Sequence, residues 1–352
     1  MEYMASLPDS SVDSVVTDPP YEIAIHNNQW DSTGIAHSKA LWAECMRVLK
    51  PGAHLVAFSA ARTYHRLACA VEDAGLEIRD QVLWLYGNGF PKGADVSKAV
   101  DAWHGAERRV VAYRYLAPVG VVGGQKAARS AGGRGLVPIT EPATEDAVRW
   151  DGWRTALKPA HETAVLARKP FSGGLAQNVL AYGTGGLNVG ACRVDGGVPA
   201  GALEPLGYAP SPDGSGDIPI APYGEDRYPT NVLYDGSEDA ASVLGGFQKA
   251  FYCAKVVPSD RWFGVAGKRR AGMEFPIHPT TKPIALMRYI CRLVTPPGGT
   301  VLDPFAGSGT TGVAAMLEGF TFKGAELDPD FHGLAVARVE AARGVGHQPS
   351  MF

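Results

Sequence analysis

Two short stretches of the 352-residue chain carry side chains in an order that could do chemistry. Asp18-Pro19-Pro20-Tyr21 directly follows the β-branched run SVDSVVT. Its two prolines remove two backbone donors and stiffen the chain, so a carboxylate, an outward carbonyl and an aromatic ring are displayed together at the carboxyl end of a strand. That set suits a planar amine, whose N–H groups Asp18 and the Pro19 carbonyl can accept while Tyr21 stacks on the ring that bears it. The other stretch, TVLDPFAGSGTTGVAA at 300–315, runs from a strand through Gly307-Ser308-Gly309 into a helix. Glycines there let backbone approach a ligand closely, and the first helical turn offers amides to an anionic group. Gly307, Gly309 and Gly312 satisfy G-x-G-x-x-G, and Glu326 stands at the end of the next strand, where a ribose-binding acid belongs. By itself this second pattern also fits a nicotinamide-binding loop or a tight turn with no ligand.

The elements that must hold these motifs alternate. Leu41, Trp42, Cys45, Met46 and Leu49 fall at helical spacing and stop at Lys50-Pro51-Gly52, after which HLVAFS reads as a buried strand. Arg62 to Ala74 is predicted helical, closed by Gly75, and QVLWLY at 81–86 is another strand. Near the other end, Pro283 opens an apolar-striped helix, followed by strand 300–303, helix 310–318, strand 320–326 and helix 330–343. Strands alternating with helices predict an α/β fold with a doubly wound, mostly parallel sheet covered on both faces. From about Pro91 to Pro276 the composition turns rich in Gly, Pro and Ser, yet Trp103, Trp150, Trp153, Phe171, Trp262 and other aromatics recur. An inserted region with its own irregular fold is predicted there rather than a linker.

Composition narrows the function classes. With 45% hydrophobic residues the chain can bury a large core, and 43 glycines and 26 prolines imply much loop. A net charge of -3 excludes a uniformly basic, nucleic-acid-coating protein but leaves room for a local basic groove. The first residues lack the profile of a signal peptide and no apolar run is long enough to span a membrane, so a cytoplasmic protein is expected. Five cysteines without a C-x-x-C pair, and histidines without ligand spacing, predict neither a disulfide framework nor a metal site. Basic residues concentrate between 91 and 140, among them Arg108 and Arg109, and again at Lys268-Arg269-Arg270; these are candidate phosphate contacts.

Together, DPPY and LDPFAGSGTTGVAA resemble the amino-methyltransferases that use S-adenosylmethionine. Their order, DPPY first and the glycine loop last with a long insertion between, is similar to the permuted β class of DNA adenine-N6 or cytosine-N4 methyltransferases. HPTTKP at 278–283, RVLKPGAHLVAF at 47–58 and QVLWLYGNGFPKG at 81–93 fit the same family. The resemblance implies a Rossmann-like class I methyltransferase fold, with residues 1–92 and 276–352 forming one catalytic domain and 93–275 a target-recognition region. It implies that Asp303, Phe305, Gly307, Ser308, Gly309 and Thr310 line S-adenosylmethionine, that Glu326 holds its ribose hydroxyls with Asp328 nearby, and that Thr280 and Lys282 lie near its carboxylate. Asp18, Pro19, Pro20 and Tyr21 would receive a base flipped out of double-stranded DNA, with Trp30 closing over it or packing at the solvent edge.

An Asp in the first place of the motif favours adenine, and cytosine-N4 is the alternative. Relatives usually carry a strand ending in Gly-Asp upstream of LPDSSVD, whereas Met1 to Met4 here fall inside the corresponding helix, so weak binding of the cofactor adenine is expected. Dimerisation is typical of the class. An oxidoreductase would leave DPPY without a task, RNA and protein-glutamine methyltransferases usually order the two motifs the other way, and a non-catalytic DNA-binding protein would have no need of either.

Overall fold

Strand formation at the amino end follows from β-branched and apolar residues that can be buried on both sides. The computed structural model describes residues 1–23, 29–87, 93–115, 136–195, 208–211, 215–219, 226–244, 252–253, 258–265, 278 and 280–345. Helix α1 (Glu2–Ala5) precedes β1 (Val12–Thr17), all six of whose residues are buried. Helix α2 (Lys39–Val48) turns Leu41, Trp42, Cys45 and Val48 inward at the predicted spacing and passes into β2 (Leu49–Ser59). Helix α3 (Tyr64–Asp73) ends before Gly75, whose φ of 99° is the left-handed geometry expected of it, and β3 (Glu77–Leu85) follows.

The described residues divide into two compact units, one of Met1–Gly87 with Glu162–Phe352 and one of Asn88–His161. In the smaller unit, α4 (Val96–Trp103) is capped by Asp95, which accepts from the Lys98 N–H at 3.1 Å, and β4 (Val110–Tyr115) pairs antiparallel with β5 (Leu136–Thr140). Thr144 caps α5 (Glu145–Arg149). Asp101, 1% exposed, ties these pieces together by accepting from the Ala143 and Thr144 N–H groups, the Thr144 hydroxyl and Arg108 at 2.6 Å. Arg108 also donates to Ser97 and Thr140, so the side chain expected at a DNA phosphate is instead a brace inside this unit. Its charge is already matched by Asp101. Arg109 is exposed and forms a two-point pair with Glu141. Lys268, Arg269 and Arg270 lie outside the described residues.

The larger unit continues with β6 (His161–Arg168), α6 (Leu175–Tyr182), the short strands β7 (Val194–Asp195), β8 (Tyr208–Pro210), β9 (Asp217–Pro219) and β10 (Asp226–Arg227), then β11 (Val232–Tyr234), α7 (Glu238–Leu244) and β12 (Tyr252–Cys253). It closes with α8 (Ile284–Val294), β13 (Thr300–Asp303), α9 (Thr310–Leu317), β14 (Thr321–Gly324) and α10 (Pro329–Val345). Eight strands form one sheet in the order β12-β11-β3-β6-β2-β1-β13-β14. The pairs β1·β13, β1·β2, β13·β14, β3·β11 and β11·β12 are parallel, and β6 runs antiparallel to β2. The mostly parallel α/β sheet is thus as expected. Three of its strands, β6, β11 and β12, come from the 93–275 stretch expected to form a separate region; Ala164, Val165, Leu166 and Ala167 of β6 and Leu233 of β11 are buried in this sheet.

Alternation along the strands supplies two cores. Val15, Leu55, Ala57, Val165 and Leu302 pack with α2 and α3 on one face, while Val16, Val56, Phe58, Leu166 and Val301 pack with α8 and α9 on the other. Each such aliphatic side chain contributes about 1.5–3 kcal/mol on burial. Gly312 lets α9 lie close to its neighbours, since a Cβ there would fall 2.6 Å from both Phe322 and Val339.

Arg108→Ala strands the Asp101 carboxylate with one fewer donor. It is expected to lower the thermal unfolding midpoint of the protein by several degrees, with Arg108→Lys recovering only part of the loss. An unchanged midpoint would show that Arg108 is not a brace.

Candidate active site

Parallel pairing of β1 with β13, in the register Ser14↔Val301 and Val15↔Leu302, brings the carboxyl ends of the two motif-bearing strands side by side. Thr17, the last residue of β1, donates through Oγ1 to Asp303 Oδ1 at 2.6 Å, and the Phe305 N–H donates to the same oxygen at 3.0 Å. Asp303 is 2% exposed, and burial pushes its carboxyl up to about 6 against the lowering effect of these donors.

One residue beyond Thr17, Asp18 enters a buried charged cluster. Lys282 donates from Nζ to Asp18 Oδ2 at 2.6 Å and to the Tyr21 hydroxyl at 2.9 Å, and lies 3.2 Å from Glu162 Oε2. The Tyr21 hydroxyl in turn donates to Glu162 Oε2 at 2.8 Å. Burial raises the Asp18 carboxyl above its ordinary value, an effect that Lys282 opposes and Glu162 reinforces. Burial alone would depress the Lys282 ammonium, but the two carboxylates overcome this and raise it. Tyr21 is pushed far up by burial and by the same carboxylates, so its hydroxyl stays protonated. Asp18 Oδ1 is buried and has no hydrogen-bond partner among the described residues. A buried acceptor left open in this way costs about 1–3 kcal/mol, which a ligand N–H would recover.

The chain leaving Tyr21 is tied to itself. Glu22 sits at φ 56°, and its carboxylate accepts from the Gly34 N–H at 2.7 Å, while the buried Asp31 carboxylate accepts from the Glu22 N–H at 3.0 Å. Thr63 fixes the Tyr21 carbonyl at 2.8 Å. Trp30, in this loop, is 40% exposed.

The glycine turn has two left-handed residues, Gly307 at φ 50° and Gly309 at φ 76°. A Cβ on Gly309 would fall 2.8 Å from Ala335 Cα on α10, and one on Gly307 would fall 3.0 Å from the His278 ring. Burial holds His278 down at about 4, so a neutral imidazole covers the turn, with Phe331 edge-on to it at 4.6 Å. Both Glu326 oxygens are engaged, one by the Gly307 N–H at 2.7 Å and the other by the Asp328 N–H at 2.9 Å. Ser308 and Thr310 are buried with their hydroxyls 3.2 Å apart. Behind them, the fully buried Arg338 of α10 donates to the Ser308 carbonyl, to Thr310 Oγ1 at 3.1 Å and to the Asp260 carbonyl at 2.6 Å. Close backbone, a following helix start and a carboxylate beside the loop fit a nucleotide-like cofactor that carries an anionic group.

Of the residues expected at the site, Asp18 and Tyr21 stand together in the charged cluster, while Asp303, Phe305, Gly307, Ser308, Gly309, Thr310 and Glu326 form or border the glycine turn. Pro19 is buried, Pro20 is partly so, and Asp328 is exposed beside Glu326. Thr280 donates its N–H to His278 Nδ1 at 3.4 Å. Lys282, expected at the cofactor carboxylate, instead pairs with Asp18 and Glu162, because two buried carboxylates attract its ammonium. Glu162, Arg338 and His278 were not singled out. Only His278 carried a signal, as the first residue of HPTTKP. Cys45 and Cys192 are buried, which pushes their thiols up to about 12, and neither is disposed to be a thiolate nucleophile.

A carboxylate with one unpartnered buried oxygen and a left-handed glycine turn stand on adjacent parallel strands of an α/β sheet. The chain belongs to the N6/N4 DNA methylase family, whose model matches residues 12–108 and 235–337. It is 42% identical over 122 residues to the DNA adenine methyltransferase YhdJ of Escherichia coli (strain K12), covering 32% of this chain and 41% of that protein. It is 36% identical over 87 residues to the type II methyltransferase M.ScaI of Streptomyces caespitosus, covering 24% of this chain and 29% of the relative. These matches span less than half the length of either relative. Among solved structures, the cytosine-N4-specific PvuII DNA methyltransferase aligns over 97% of this chain and 86% of its own, at 13% identity and a TM-score of 0.45.

Two expectations follow. Gly309→Ala forces a side chain against α10 in a left-handed conformation and should destabilise the fold by about 1–3 kcal/mol in urea unfolding; a neutral effect would contradict the close approach. The Asp303 carboxyl titrates higher folded than unfolded, so its contribution to stability is greatest at acid pH and falls as pH rises through about 6. Between pH 4 and pH 8, wild type should therefore lose about 2 kcal/mol relative to Asp303→Asn. A pH-independent difference would refute the raised value.

Proposed function

We propose that this chain is a site-specific DNA methyltransferase that moves a methyl group from S-adenosylmethionine to the exocyclic N6 of a flipped-out adenine in duplex DNA. The observation that carries this reading is the open acceptor at Asp18 Oδ1, buried at the end of the strand next to the glycine turn. When bound, the cofactor supplies an electrophilic methyl on a sulfonium. The protein's part is to orient the nucleophile. The target nitrogen is weak because its lone pair is delocalised into the base; N–H donation to Asp18 Oδ1 and to the Pro19 carbonyl favours a pyramidal nitrogen with its lone pair turned to the methyl. Asp18 then takes the proton that the methylated nitrogen must lose, and passes it to water. Tyr21, held by its hydroxyl and its carbonyl, provides a fixed ring for the base. On the cofactor side the amides near Ser308 and Thr310, the Glu326 carboxylate and Thr280 are the binding groups.

DNA is the partner that the charge distribution supports. Residues 88–161 contain 11 Lys and Arg against 7 Asp and Glu, out of chain totals of 33 and 36, so this unit is basic while the remainder is acidic. It also exposes Trp103, Tyr113, Trp150 and Trp153, with the last two in edge contact at 5.2 Å. Basic side chains among exposed aromatics suit phosphate contact and base stacking, and we assign target recognition chiefly to this unit. Adenine is preferred over cytosine because Asp opens the DPPY motif and because the relative YhdJ is an adenine methyltransferase.

Asp18→Ala should reduce tritiated methyl transfer from S-adenosylmethionine to duplex DNA by about 100-fold or more, while calorimetric binding of the cofactor stays within a few-fold. Nucleoside analysis of the product should show N6-methyladenine. Appreciable turnover by the variant would overturn the role of Asp18, and N4-methylcytosine would overturn the choice of base.

A further inference from the structure

Glu162 is the second residue of β6, the antiparallel strand, and lies outside both stretches that the family model matches. Its side chain nevertheless completes the cluster around Asp18. Oε2 accepts from the Tyr21 hydroxyl at 2.8 Å and lies 3.2 Å from Lys282 Nζ, whose side chain is 7% exposed. Lys282 thus stands between two carboxylates, with Asp18 Oδ2 at 2.6 Å. An Asp18–Lys282 pair alone would be neutral. Counted as two carboxylates and one ammonium, the three groups hold one negative charge more than positive, in a partly buried setting that water screens less than the open surface.

We propose that Glu162 is a positioning residue of the amino-methylation site. It holds Lys282 on the Oδ2 side of Asp18, locks the Tyr21 ring through its hydroxyl, and keeps the cluster net negative while Oδ1 stays open to the amine. The proposal rests on the methyltransferase reading above and gives the surplus charge a use. As the nitrogen forms its bond to the methyl, and the carbon–sulfur bond breaks with its electron pair left on sulfur, positive charge arrives on the nitrogen. A net negative cluster favours that charge, and Asp18 Oδ1 accepts the departing proton.

The comparison of Glu162→Gln with Glu162→Asp separates charge from packing, with thermal unfolding of both as a check on folding. Glu162→Gln should lower kcat for tritiated methyl transfer to duplex DNA by about 10- to 100-fold, with KM for S-adenosylmethionine within about twofold. Glu162→Asp should recover part of the loss. Because the Glu162 charge raises the Asp18 carboxyl, the acid limb of the kcat profile should move to lower pH in Glu162→Gln. In the cofactor-free protein, carbon-13 NMR of the tyrosine rings at neutral pH, with Tyr21→Phe for assignment, should show the Tyr21 Cζ resonance displaced in Glu162→Gln, because its hydroxyl loses a carboxylate acceptor. Wild-type kcat and an unmoved acid limb in a folded Glu162→Gln would overturn the proposal. If the wild-type protein transferred no methyl group to DNA, the functional reading would fail by itself; the Tyr21 resonance would still decide the placement of Glu162, and an unmoved resonance would overturn it.

Discussion

The site depends on one backbone pairing. Residues 286 positions apart, Thr17 and Asp303, are hydrogen-bonded because β1 and β13 run parallel and adjacent, and everything chemical is arranged from their carboxyl ends. A parallel pair needs both faces covered, and the α2–α3 layer and the α8–α9 layer do this with the alternate residues of the same strands. Polar groups at the strand ends therefore face a choice between partners inside the protein and a ligand. Asp303 Oδ1 is taken up internally by the Thr17 hydroxyl and the Phe305 N–H, while Asp18 has, among the described residues, a partner on Oδ2 and none on Oδ1. The difference between a structural and a chemically available carboxylate here is one residue of strand.

Rigidity on both sides of that pairing has distinct sources. On the amine side it comes from charge, through Lys282 between two carboxylates, and from the stapling of Glu22 and Asp31 across the loop that follows Tyr21. On the cofactor side it comes from sterics, since Gly307 and Gly309 lie where no side chain fits, and from Arg338, which grips the turn from behind. A charged cluster can respond when a ligand arrives with its own charge, because its members can exchange partners. A turn pressed against a helix backbone, as Gly309 is against Ala335, cannot.

Legibility in the sequence followed the range of the interactions. The strands and helices of both flanks were readable because their periodicity is local: helix α2, strand β13 and the Gly75 stop stand where spacing put them. The glycine turn and the DPPY segment were readable because their chemistry is contiguous. Glu162 was not, since a single acid at the start of the strand HETAVLAR has no pattern until β6 is paired beside β2. Arg338 looked like any basic residue on an amphipathic helix, and only burial reveals its task. Arg108 reads as a phosphate contact because it is a basic residue in a basic stretch; its pairing with Asp101, seven residues away and turned toward it by α4, was not legible. Of the three sheet strands within 93–275, two were hidden by their brevity, β11 with three residues and β12 with two.

The order of the strands has a consequence for how the protein comes into being. β1 can pair with β2 as soon as the first sixty or so residues exist, but its other edge waits for Val301 and Leu302. Until then one edge of a fully buried strand and the core residues packed on β13 have no partner, a long-range closure of the kind that makes parallel sheets slow to form and prone to mispairing. The two motifs meet last. A nascent or truncated chain consequently holds Asp18 without the glycine turn beside it, so the site is completed in a late step of folding rather than by degrees.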